Sequence, residues 1–121
     1  MTSRAAPPSQ ARSLMRLHDL DMLLRDYRED ASRAVLEGTG FRVSGLEQLR
    51  RVREELAQTI EPRWLRVYER ALQRHGRAVV PVMDRVCMGC FVTLPTSIPR
   101  PAEGSEEVLL CQSCGRFLYW L

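Results

Sequence analysis

Cys87-Met88-Gly89-Cys90 and Cys111-Gln112-Ser113-Cys114 are the residues of this 121-residue chain whose type and spacing point to chemistry. A C-x2-C pair lets two thiolates reach one ion from a tight turn, and a second pair 20 residues on completes a tetrahedral set. The spacing also admits disulfides, a redox dithiol or iron in a four-sulfur site. Met1 to Gln10 is polar and proline-bearing with no apolar core of a secretory signal, and no βαβ pattern accompanies the C-x2-C pairs. The expectation is therefore one structural zinc ion on Cys87, Cys90, Cys111 and Cys114. Four thiolates leave no position for water or substrate, so the metal holds the fold and performs no reaction.

These thiols need elements to place them. After Gly76 the apolar period approaches two, and Arg77–Met83 reads as a strand that Pro81 confines to a sheet edge. Phe91–Leu94, Val108–Leu110 and Arg116–Trp120 read as short strands flanking the cysteine turns, with a proline-bearing loop over 95–104. This is the plan of a zinc ribbon, spanning residues 77–121.

Upstream the pattern is helical. Residues 1–8 read as a disordered tail that ends where Ser9 can cap a helix. Leu17, Leu20, Leu24, Tyr27, Ala31 and Ala34 recur at alternating steps of three and four, an a/d seam, and Gly38 is placed to end that helix. Ser44 and Glu47 form a capping box for a second helix running to His75, with Pro62 kinking or restarting it. Its apolar positions are Leu46, Leu49, Val52, Leu56, Ile60, Trp64, Val67 and Ala71. Two helices of similar length predict an antiparallel coiled-coil hairpin over 9–76, in a register that sets Arg63 near Asp19 and Arg53 near Glu29. The predicted fold class is thus α+β, a two-helix coiled-coil hairpin followed by a small β zinc ribbon.

Net charge is +3, all 18 basic residues are arginine, and segment 77–121 is neutral. No apolar run is long enough to span a membrane. With free-thiol ligands, a cytoplasmic location is expected. Arg63, Arg66, Arg70, Arg74 and Arg77 fall at helical spacing along one flank, where like charges repel unless acids or a ligand offset them. The stripe is either a contact for nucleic acid or an acidic protein face, or a solvated surface balanced by Glu61 and Glu69. Phe91, Phe117, Tyr119 and Trp120 read first as core around the metal, with a base-stacking platform as the alternative. His18 and His75 lie on helices away from the completed cysteine set. No carboxylate pair, phosphate-cradling glycine motif or nucleophile–base pattern supports an enzyme, so a small-molecule substrate is not expected.

Ile60-Glu61-Pro62, Tyr68-Glu69-Arg70, Gly76, Cys87-x2-Cys90-Phe91 and the ending Cys111-x2-Cys114-Gly115-Arg116-Phe117-Leu118-Tyr119-Trp120 together resemble the bacterial C4-type zinc ribbon family of FlgZ- and CdsZ-like regulatory proteins. The resemblance is detailed over residues 60–121. It implies a non-enzymatic zinc-binding adaptor with the four cysteines as ligands. It further implies a regulatory protein partner, such as an alternative sigma factor or a flagellar or type III secretion component, with RNA as the competing partner. The family's hairpins are longer than this one. A second likeness is to RNA polymerase regulators of the DksA and TraR type, whose hairpin tips carry acidic residues, whereas residues 38–45 here contain no acid and one arginine. Spare apolar positions Met15, Met22 and Leu23 leave room for a homodimer.

Overall fold

A computed structural model describes residues 9–36, 43–102 and 107–120. The tail over 1–8, Gly38 and the tip residues up to 42 lie outside the described residues, as do residues 103–104 of the proline-bearing loop. The fold is α+β, with α1 Gln10–Leu36, α2 Val43–Ala57, α3 Pro62–His75, β1 Val79–Met83, β2 Val86–Cys87, β3 Leu109–Leu110 and β4 Phe117–Trp120. No described helix is long and apolar enough to cross a membrane.

Local signals explain the helix boundaries. Ser9 caps α1, its Oγ accepting from the Arg12 amide at 3.0 Å. The expected second helix divides in two: α2 stops at Ala57, and α3 restarts with Pro62 in its first turn, where a missing N–H has no consequence. Gly76, at φ 78°, closes α3 in the left-handed conformation and donates its N–H to Leu72 O at 2.8 Å. α2 begins at Val43, so Ser44 lies inside the helix and not at its cap.

The α1–α2 register also departs from expectation. Arg53 pairs with Asp21, at 2.9 Å from Nε to Oδ1, in place of Glu29, and Arg63 pairs with Glu61 at 2.8 Å in place of Asp19. α1 meets two separate helices in place of one continuous partner. Asp21 accepts from Arg53 on α2 and from the Tyr68 hydroxyl of α3 at 2.6 Å. Burial, then the Asp21 hydrogen bond and charge, raise Tyr68 above the ordinary phenol range. Gln10 holds the break itself, taking the Glu61 amide at 2.8 Å.

The sheet order is β2-β1-β4-β3, with β1 parallel to β4 and the other pairs antiparallel. β1 is therefore interior, which overturns the expectation that Pro81 confines it to an edge. Pro81 sits opposite Tyr119 of β4, and its carbonyl accepts from the Met88 amide at 3.0 Å. Carbonyl and N–H of one strand residue point to the same flank, so the missing donor faces β2. The β2 ladder pairs only Val82 and Met83, beyond the proline. Phe91–Leu94 does not form the expected strand either, and contributes a single bridge from Thr93 to Val86.

The main core joins Leu14 and Leu17 of α1, Ala57, Ile60, Tyr68 and Ala71 of α2, α3 and their junction, and Ala78, Val79 and Phe117 at the sheet. Among the described residues, this core is concentrated where helices meet sheet. Val52 shows this, being half exposed despite its seam position. A second cluster of Val80, Val82, Leu94 and Leu118 packs around Cys87 and Cys111.

Candidate metal centre

Each cysteine pair sits in a turn built to one pattern. In the first, Phe91 N–H donates to Cys87 O at 2.7 Å and Cys87 N–H to Val92 O at 3.0 Å. In the second, Gly115 N–H donates to Cys111 O and Cys111 N–H to Arg116 O, both at 2.9 Å. The residue after each second cysteine takes a left-handed backbone, with φ 63° at Phe91 and 78° at Gly115. β1–β2 presents the first turn and β3–β4 the second, and the parallel β1–β4 pairing sets the two face to face.

The four sulfur atoms lie within 4.8 Å of one another. Cys87 Sγ is 3.9 Å from Cys114 Sγ, and Cys90 Sγ is 3.7 Å from Cys111 Sγ. A tetrahedral ion with bonds of about 2.3 Å requires sulfurs about 3.8 Å apart. These separations are far beyond a disulfide bond, and all four thiols are free. Cys87 and Cys111 are fully buried, whereas Cys90 and Cys114 reach the surface. The site can therefore hold one metal ion behind a dry face, with two ligands toward solvent.

Backbone amides are aimed at the sulfurs. Gly89 and Cys90 N–H donate to Cys87, Val92 N–H to Cys90, and Arg116 N–H to Cys114. Burial outweighs this at Cys87 and raises its thiol, and burial pushes Cys114 up to about 12. Cys90 is opposed by burial, but the Val92 amide and the neighbouring thiols bring it down to about 7. One thiolate is thus ready near neutral pH, whereas Cys87 and Cys114 are held protonated until a cation comes beside them.

Two residues outside the cysteine set touch this centre, and the sequence reading placed neither of them there. His75, expected to lie apart from it, donates from Nε2 to the Cys114 carbonyl at 3.0 Å, tying the end of α3 to the second turn. Arg116 lies across Gly89 of the first turn. The sequence signal for the first is a histidine one residue before the helix-terminating Gly76; for the second it is a glycine inside C-x2-C.

Arg63, Arg66, Arg70, Arg74 and Arg77 are all exposed. Arg63 is occupied, paired with Glu61 and lying 4.8 Å over the Trp64 ring. Of the aromatics, Phe117 is buried in the main core, Trp120 packs on the cysteine cluster, and Phe91 stands 68 % exposed.

An α+β protein with a four-thiol site able to hold a metal ion is the class that fold and geometry define. No family model matches the chain, and no curated protein matches it. Among solved structures, CT398 from Chlamydia trachomatis is 32% identical with a TM-score of 0.53, the match covering 78% of this chain and 37% of that one. HP0958 from Helicobacter pylori is 25% identical with a TM-score of 0.55, covering 76% of this chain and 36% of that one. This chain shares its fold with those bacterial proteins and spans little more than a third of the length of either.

Proposed function

We propose that this protein is a non-enzymatic adaptor in which a helical hairpin, made by α1 with α2 and α3, is joined to a zinc ribbon and presents a binding face to a regulatory protein. The observation that carries the reading is the four-sulfur set with near-tetrahedral spacing, held by two equivalent turns. Zinc is the ion of choice for an all-thiolate tetrahedral site with no open position, and such sites stabilise folds without catalysing reactions. The shared fold with CT398 and HP0958 supports the bacterial setting. By the family resemblance, the partner belongs to transcription, flagellar assembly or type III secretion.

RNA binding is the second reading, favoured by one observation. Arg66, Arg70 and Arg74 are exposed and enter no ion pair among the described residues, while Glu69 and Glu61 reach Arg53 and Arg63 instead. Affinity capture of the zinc-loaded protein from bacterial lysate, with and without nuclease, separates the two. Proteins retained after nuclease treatment support the adaptor. Recovery that collapses with nuclease, and charge reversal at Arg70, Arg74 and Arg77 that abolishes RNA recovery, replaces it with the second reading.

A further inference from the structure

Arg116 follows the second turn in sequence, yet its side chain lies over the first. A Cβ placed on Gly89 would come within 3.0 Å of Arg116 Cδ and 3.1 Å of Cζ and would overlap Nη1. Gly89 is thus a floor kept bare so that a guanidinium can cross the Cys87–Cys90 turn. Arg116 Nε is buried there without any hydrogen-bond partner. The side chain enters no ion pair among the described residues. An Nε–H of a charged group taken from water with no partner in return is costly, although the residue as a whole is half-buried, and a neutral C-x2-C turn gives no reason for it.

The metal supplies that reason. Four thiolates around a divalent ion leave a net dianion, half of it facing the dry core on Cys87 and Cys111. Amide N–H groups of Gly89, Cys90, Val92 and Arg116 reach the sulfurs but bring no net charge. Arg85, the other arginine close by, is committed to the Pro95 and Ile98 carbonyls at 2.7 and 3.1 Å. We infer that Arg116 is the counter-cation of the tetrathiolate centre, a positioning residue that bridges the two turns and lowers the reactivity of the metal-bound thiolates. Gly89 is its obligatory partner. The inference rests on the reading of the four cysteines as a zinc site.

The test uses the full chain loaded with zinc or cobalt, comparing the native sequence with Arg116→Met, Arg116→Lys and Gly89→Ala. Zinc affinity is read by competition with a chromophoric chelator, and thiolate reactivity by the rate of iodoacetamide alkylation of the zinc-loaded protein. Arg116→Met keeps the bulk and removes the charge; it is expected to weaken zinc binding about tenfold or more, in the range of outer-sphere partners, and to speed alkylation several-fold. Arg116→Lys should restore most of both. Gly89→Ala, which retains the arginine but displaces it, should behave like Arg116→Met and serves as the second reading if Arg116→Met does not fold at saturating zinc. Affinity and alkylation unchanged in Arg116→Met and Gly89→Ala would overturn the role. Lysine as poor as methionine would reduce Arg116 to packing and overturn it too. Absence of thiolate-to-cobalt bands in the native protein would instead overturn the zinc reading itself, and the counter-cation with it.

Discussion

The two cysteine turns are the same object made from different residues. Both close with the same pair of backbone hydrogen bonds and both require a left-handed residue after the second cysteine. The second turn uses Gly115, which adopts φ 78° without steric conflict, and His75 ties it to α3. The first uses Phe91, a bulky residue at φ 63° whose ring is mostly in solvent. The first turn is instead crossed by Arg116 from its counterpart. Backbone geometry is thus fixed by the demand of two thiols on one point, and the sequence satisfies that demand cheaply in one turn and with local strain in the other.

The largest effect should come from erasing what the turns share. Cys111→Ser removes a buried ligand and is expected to weaken metal binding by more than about 100-fold, beyond the range of outer-sphere changes, as read by chelator competition. A set of three thiolates that bound zinc as tightly as four would break the equivalence of the turns.

Next comes a test of how far the helical end is independent of the metal end. Asp21→Asn weakens its hydrogen bonds to Arg53 and Tyr68, both largely shielded from water, and should cost about 2 kcal/mol in denaturant unfolding while leaving one metal per chain. Loss of the metal in that variant would show the two ends to be one cooperative unit.

The contrast between Gly115 and Phe91 can be sharpened directly. Gly115→Ala meets no atom within 4 Å, so its expected loss of about 1 kcal/mol is purely a backbone effect. Phe91→Gly relieves the same strain and should raise stability by up to about 1 kcal/mol, because little ring area is buried. A destabilised Phe91→Gly protein would mean that the ring holds the turn.

The smallest effect concerns His18, buried against the Tyr68 edge with Nε2 unpartnered. Burial, then the Arg77 charge, lower its pKa below 6.5, while Asp19 and Asp21 oppose and Arg25 adds to the shift. The unfolded chain therefore takes up the proton first, and stability should fall as pH drops below about 6.5. His18→Leu should flatten that slope in urea titrations between pH 5 and 7; an unchanged slope would assign it elsewhere.

Much of this was legible before any coordinates. Ligand spacing, the Ser9 cap, the Gly76 stop and the restart at Pro62 are local signals, and each appears where its chemistry requires. What could not be read depends on tertiary placement. Pro81 is tolerated inside the sheet because β2 begins one residue later, a register no propensity reports. Asp21 was hidden as a seam partner because two helices, not one, converge on it. His75 and Arg116 reach the metal centre only once β1 and β4 run parallel and bring the second turn beneath α3.

Native mass spectrometry of the purified full chain, paired with alkylation of its thiols before and after metal removal, tests the central claim most directly. One zinc ion per chain is expected, with all four cysteines protected while it is bound and all four reactive after chelation. A folded chain that carries no metal, or whose cysteines prove to be joined as disulfides, would contradict it.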